Sequence, residues 1–236
     1  VAGDNAALTF ESSGRLVRLT SLDSSQATGG DNQITVNVAG AETRSAEAHP
    51  NYHVIAAGTG DDFVNINAAS PSRDVISGDN LDFRRGFDAN DHRQALFAGL
   101  TSRSFGGDDV IRVGAGDAIL FGGLGADTLH TSTTAADTSI VFGDAGNVVF
   151  DAAATGQLTQ IISTATTQGG DDTLRPGAGE SYILAGSGAD DIATGSSDSA
   201  RVIAGAQAQI TFDGSGSPER AQSLGIQQAP DSSQDN

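Results

Sequence analysis

Apolar positions in this chain recur every nine residues. Ile111, Leu120 and Leu129 are nine apart, as are Leu174, Ile183 and Ile192, and Ile55 and Val64 repeat the interval. Each position closes a glycine-led unit: Gly107-Asp-Asp-Val-Ile111, Gly116-Asp-Ala-Ile-Leu120, Gly125-Ala-Asp-Thr-Leu129. A helix does not recur with this period. A short strand followed by a tight turn does, with glycine supplying the positive φ that such turns need. The apolar runs between these units, Leu8–Phe10, Leu16–Leu19, Ile140–Phe142, Val148–Phe150 and Leu158–Ile162, also read as strands bounded by turn residues. The nearest helix candidate is 91–100, and Gly99 limits it.

A longer repeat encloses the short one. Ile140-Val-Phe-Gly-Asp-Ala-Gly-Asn-Val-Val-Phe150 has relatives at Val1–Phe10, Val75–Phe83 and Val202–Phe212, marked by Gly3, Gly78, Gly143 and Gly205 at spacings of 75, 65 and 62 residues. The expected organisation is repeat 1 over 1–74 with an insertion near 41–52, repeat 2 over 75–138, repeat 3 over 139–200, a truncated repeat 4 over 201–214, and a polar tail or linker over 215–236. The expected fold is therefore all-β: a parallel β-roll or β-solenoid in which each nine-residue unit is a half-coil.

Composition narrows the function. The net charge is −18, all 12 basic residues besides histidine are Arg, and 25 of the 30 acids are Asp. Such a surface repels phosphate backbones, which argues against nucleic acid. No apolar run is long enough to insert in a membrane as a helix. With no Cys, disulfides and thiolate sites are impossible. The chain starts at Val1, contains no Met, and lacks a basic n-region followed by an apolar stretch. It reads as a processed product or a piece of a longer protein.

The residue two before each periodic apolar position carries the chemistry. It is Asp109, Ala118, Asp127 in the second copy, Asp172, Ser181, Asp190 in the third, and Asn32 and Asp62 in the first. In a flattened coil, units i and i+2 share an edge. Asp109 and Asp127, like Asp172 and Asp190, are 18 apart and would meet there. Stacked carboxylates repel unless a cation lies between them. With turn carbonyls nearby, such a gap offers hard oxygen ligands that suit Ca²⁺. The competing role for each Asp is to cap a turn through its own side chain.

At these positions the chain resembles the RTX, or hemolysin-type calcium-binding, repeat family. Gly122-Gly-Leu-Gly-Ala-Asp-Thr-Leu-His130 matches the nonapeptide Gly-Gly-x-Gly-x-Asp-x-apolar-x, and Ala185–Ala193 and Ala57–Asn65 differ from it only in the first Gly. The resemblance implies a parallel β-roll that holds Ca²⁺ between Asp carboxylates and turn carbonyls, in a secreted protein. The expected function is a calcium-stabilised extracellular structural or adhesive repeat in a larger surface protein or filament. The alternative is the C-terminal calcium-binding module of a secreted enzyme or toxin. The expected partners are Ca²⁺ and neighbouring repeats or like subunits stacked end to end through open strand edges.

Other chemistry is less pronounced. His49 and His53 have the spacing of a zinc helix, but Pro50 and the missing Glu exclude that motif. No nucleophile elbow or phosphate loop is present, so no enzymatic activity is expected. Arg84, Arg85 and Arg93 form the only basic cluster, read as a solvated loop or a contact for an acidic neighbour.

Overall fold

In the computed structural model, the described residues are 1–10, 16–22, 29–38, 51–68, 72–87, 93–100, 105–132, 134, 137–151, 157–164, 169–195 and 201–224. They form twenty strands and no helix. Residues 41–50 of the insertion expected over 41–52, His49, His92 and the end of the polar tail lie outside them.

One six-stranded sheet is entirely parallel: β18 (Arg201–Ala204), β16 (Glu180–Leu184), β12 (Thr138–Phe142), β10 (Gly116–Phe121), β6 (Ser72–Ser77) and β4 (Asn51–Ala56), in that order. A second parallel sheet orders β17 (Asp191–Ile192), β15 (Thr173–Arg175), β11 (Thr128–Thr131), β9 (Val110–Val113), β5 (Phe63–Ala68) and β3 (Gln33–Val38). The third sheet is antiparallel and eight-stranded. It orders β1 (Ala6–Phe10), β2 (Leu16–Ser21), β7 (Leu81–Phe87), β8 (Arg93–Leu100), β13 (Gly146–Phe150), β14 (Leu158–Ser163), β19 (Ala208–Phe212) and β20 (Pro218–Ser223).

The β4–β18 sheet is the middle layer and is apolar on both faces, as parallel sheets usually are. One face packs Val54, Val75, Phe121, Ile140, Phe142 and Leu184 against Leu19, Leu81, Phe83, Val148, Ile161 and Ile210 of the antiparallel sheet. The other packs Ile55, Ile76, Leu120, Val141 and Ile183 against Val64, Ile111, Leu129 and Leu174 of the β3–β17 sheet. Each fully buried Leu, Ile or Phe here contributes roughly 1.5–3 kcal/mol. The outer sheets are buried on one face only, so their strands alternate, as in the buried and exposed pattern of β9 and β11.

This architecture corrects three expectations. The fold is all-β, but it is not a uniform β-roll or β-solenoid. Three distinct sheets of mixed direction share two cores, and the stretches following Gly3-Asp4, Gly78-Asp79 and Gly143-Asp144 double back as hairpins instead of continuing a coil. The RTX-type architecture implied by the nonapeptides is corrected on the same ground. So is end-to-end stacking of like subunits: strands from all parts of the described chain line up in chain order within each of the three sheets and close on shared cores, as one globular domain. Pro218–Ser223, within the segment expected to be a tail, forms β20 on the edge of the antiparallel sheet.

Candidate functional site: a buried aspartate row

The turns leading into the β3–β17 sheet stack Asn32, Asp62, Asp109, Asp127, Asp172 and Asp190 in one continuous row, because each precedes a strand residue in register with the next. Side chains and backbone lock the row together. The Asn32 N–H donates to Asp62 Oδ1 (2.6 Å), Asp62 N–H to Asp109 Oδ1 (2.8 Å), and Asp109 N–H to Asp127 Oδ1 (2.8 Å). Asp127 N–H then donates to Asp172 Oδ1 (2.9 Å) and Asp172 N–H to Asp190 Oδ1 (3.1 Å). Each carboxylate thus holds the turn before it, so these residues take the competing role of turn capping, made between rungs.

The other oxygens have no such partner. Oδ2 of Asp62, Asp109, Asp127, Asp172 and Asp190 is buried without a hydrogen bond. The side chains of Asp109, Asp127 and Asp172 belong to residues only 1% exposed. An unpaired buried acceptor carries a desolvation cost of about 1–3 kcal/mol, more when ionised. Burial accordingly pushes the Asp109 carboxyl up to about 9, with the charge of Asp79 adding to it. Burial raises Asp172 to about 8, reinforced by Asp144 and Asp190, and raises Asp62 to about 6. Asp127 is driven well above the carboxylate range by burial and then by Asp109.

A second set of aspartates faces the row. Asp4, Asp79 and Asp144 are the Gly-Asp markers of the long repeat, and each caps a glycine turn: Asp4 Oδ2 accepts from Thr59 N–H (2.9 Å), Asp79 Oδ2 from Leu124 N–H (2.6 Å), Asp144 Oδ2 from Ser187 N–H (2.6 Å). Asp79 and Asp144 are each 1% exposed, and their Oδ1 atoms are unpaired. Burial raises Asp144 to about 6 and Asp79 well above the usual range. The sequence reading treats these two as turn markers and misses them as members of the site. Their recurrence beside glycine is the signal that could have found them.

The first copy differs by one atom type. Asn32 Nδ2 donates to Asp4 Oδ1 (3.2 Å), to the Gly30 carbonyl (2.6 Å) and to the Ala57 carbonyl (3.3 Å). An amide can serve these convergent acceptors. At the equivalent places Asp109 meets Asp79 and Asp172 meets Asp144, and an ionised carboxylate has no proton to give. Asp31, Asp61, Asp108 and Asp171 form a separate, solvent-exposed ladder. Asp31, Asp61 and Asp108 accept in turn from the N–H groups of Asp61, Asp108 and Ala126, and Asp171 accepts from Ala189 N–H.

Among the described residues, no group of three or more His, Cys, Asp or Glu side chains is placed to hold a metal ion. Comparison with protein-family models, with curated proteins and with solved structures finds no match to the chain. The expected calcium-stabilised structural or adhesive repeat, and the alternative calcium module of a secreted enzyme or toxin, are therefore corrected. What the chain presents is a globular all-β domain with a row of carboxylates tied to its own backbone. No helix among the described residues is long and apolar enough to cross a membrane.

Proposed function

We propose that the chain is a non-enzymatic β-scaffold domain whose cohesion depends on neutralising the aspartate row in its interior. The observation that carries this reading is the set of buried Oδ atoms without partners at Asp62, Asp109, Asp127, Asp172 and Asp190, beside those of Asp79 and Asp144. Asn32 supports it from the other side, since the one copy with an amide at this position satisfies the same acceptors internally. The non-enzymatic part rests on where the perturbed carboxylates sit. They lie within a stack of backbone turns and not in a cleft open to a substrate.

Protons and hard cations are the two species that neutralise such a row. Among cations, an all-oxygen donor set favours Ca²⁺ over the softer metals.

Thermal melts test it: at pH 8 in chelator, with Ca²⁺ or with Mg²⁺, and again at pH 5. Charge neutralisation requires a higher Tm at pH 5 than at pH 8 in chelator. A further rise on adding Ca²⁺ at pH 8, larger than with Mg²⁺ and smaller at pH 5, identifies the cation. A Tm that responds to neither acid nor cation overturns the reading.

A further inference from the structure

We infer that the open edge of the middle layer at β18 is a docking site for one extended strand of a partner polypeptide, an unbroken apolar segment running parallel to β18. β18 ends the β4–β18 sheet and pairs there with β16. The Ala204 carbonyl accepts from Ala185 N–H (2.8 Å), which turns the polar backbone groups of Ala204 toward β16. Alternation along the strand therefore turns the N–H and C=O of Ile203 outward. Among the described residues, no backbone group pairs with them. The opposite edge of the same sheet shows how such an edge is filled. Ala2 bridges in parallel to Ala56 of β4, Gly3 N–H donates to the Ala56 carbonyl (2.9 Å), and Ala56 N–H donates to the Val1 carbonyl (3.1 Å).

The side chains at β18 leave room for a further rung. Across the middle layer the register runs Phe121, Phe142, Leu184, Ala204. Across the antiparallel sheet facing it, the register runs Ile161, Ile210, Ala221. Both columns shrink to alanine at this end. They leave a groove of about 330 Å³ lined by Val202, Ala204, Ala208, Ile210 and Ala221. On the other face of β18, Ile203 is 48% exposed, whereas Ile183, its partner in register on β16, is fully buried. A strand laid along β18 would bury Ile203 from the side and put a large side chain into the groove.

These features select the occupant. Outward N–H and C=O groups at strand spacing are answered by an extended polypeptide, whose backbone repeats them. The direction follows the sheet, in which every pairing is parallel. Apolar surface lies on both sides of β18, so the segment must be apolar on both faces and reads as a continuous run, not as alternation. Residues 225–236 of this chain offer no such run, since Ile226 is their only large apolar residue. A second copy holds its apolar strands inside its own cores, and its Val1–Gly3 is engaged on its own β4. The segment therefore comes from a different polypeptide.

Fluorescence polarisation with a dye-labelled peptide Thr-Ser-Ile-Val-Phe-Gly-Asp, the sequence of residues 138–144, tests the assignment. In register with β18, this peptide sets its Phe beside Ala204 and its Val beside Ile203. Its Phe N–H then donates to the Ile203 carbonyl, while its Val N–H points away. The expected result is binding by the native chain, loss of binding on N-methylation of the Phe, and unchanged binding on N-methylation of the Val. Ala221→Glu, which brings a charge into the groove, should weaken binding roughly tenfold or more. Circular dichroism of the variant checks that the fold is retained. No binding by the native chain, the same response to both N-methyl groups, or full binding by Ala221→Glu would overturn the inference. So would self-association of the native chain that Ala221→Glu abolishes, which would make a second copy the occupant.

Discussion

Asn32 donates its side-chain amide to Asp4 Oδ1 at 3.2 Å, and Asp109 stands in the corresponding relation to Asp79 with no proton to offer once it is ionised. The chain thus contains its own control. Asp109→Asn should let the amide serve Asp79 as Asn32 serves Asp4, while the remaining side-chain oxygen still accepts from Asp62 N–H. At pH 10 in chelator, above the value of about 9 at which Asp109 gives up its proton, the variant should be more stable than the native chain by about 1–3 kcal/mol, the cost of an unsatisfied buried group. The reverse change, Asn32→Asp, should lose a similar amount. Denaturant midpoints measure both, and a destabilised Asp109→Asn protein would show that the unpaired oxygens are not the weak point.

Much of this site is legible in the sequence, and some is not, for physical reasons. The nine-residue spacing places Ile111 and Leu129 side by side in β9 and β11, with Leu120 in the middle layer, because strand and turn lengths are local properties. The pairs Asp109/Asp127 and Asp172/Asp190 follow from that spacing. Their fusion into one row does not, because it depends on β11 pairing with β15 across 45 residues. Val148–Phe150 and Leu158–Ile162 read as strands, yet their antiparallel pairing is decided by the hairpin between them and by packing on Phe142. Strand β20 escapes notice because its side chains are almost all exposed, which leaves no apolar alternation to read.

Stability should fall as pH rises, the reverse of common acid denaturation. Each raised carboxyl holds its proton in the native state at pH values where the unfolded chain, near 3.8, has released it. The native state therefore binds more protons between the two values, and its stability declines across that window. The contribution of Asp62 and Asp144 is full below about pH 4 and lost by about 6; that of Asp172 is lost by about 8 and that of Asp109 by about 9. Urea midpoints taken without divalent ions at about pH 4.5, 6.5 and 8.5 should decrease in that order. A rise between the last two would contradict the burial argument.

Gly123 should tolerate no side chain. Its φ is +125°, and a Cβ there would lie 2.1 Å from Asp79 Oδ2. The Asp79 carboxylate cannot retreat without breaking its bond from Leu124 N–H. The left-handed backbone alone costs a non-glycine residue about 1–3 kcal/mol, and the overlap adds to it. Gly214→Ala is the matched control, since its Cβ meets nothing within 4 Å. Thermal unfolding of the two variants should separate them clearly, with Gly214→Ala close to the native chain.

The contact between Gly146 and Phe142 should be as unforgiving, for a different reason. Phe142 is fully buried and stacks on Phe121, with ring centroids 4.9 Å apart and planes 9° from parallel. Its ring edge covers Gly146 so closely that a Cβ there would lie 2.1 Å from two ring carbons. Gly146 starts β13, whose next inward residue, Val148, is part of the same core. Gly146→Ala therefore forces either the ring off its stack or the hairpin away from the middle layer. Overpacking of this kind costs about 1–3 kcal/mol. Phe142→Ala removes the ring and leaves a cavity, at about 3–5 kcal/mol. If the clash is the whole cause, Ala at 146 should cost much less in a Phe142→Leu background than in the native chain, because the shorter side chain vacates the space. A double-mutant cycle on unfolding free energies measures that coupling, and additive losses would place the strain elsewhere.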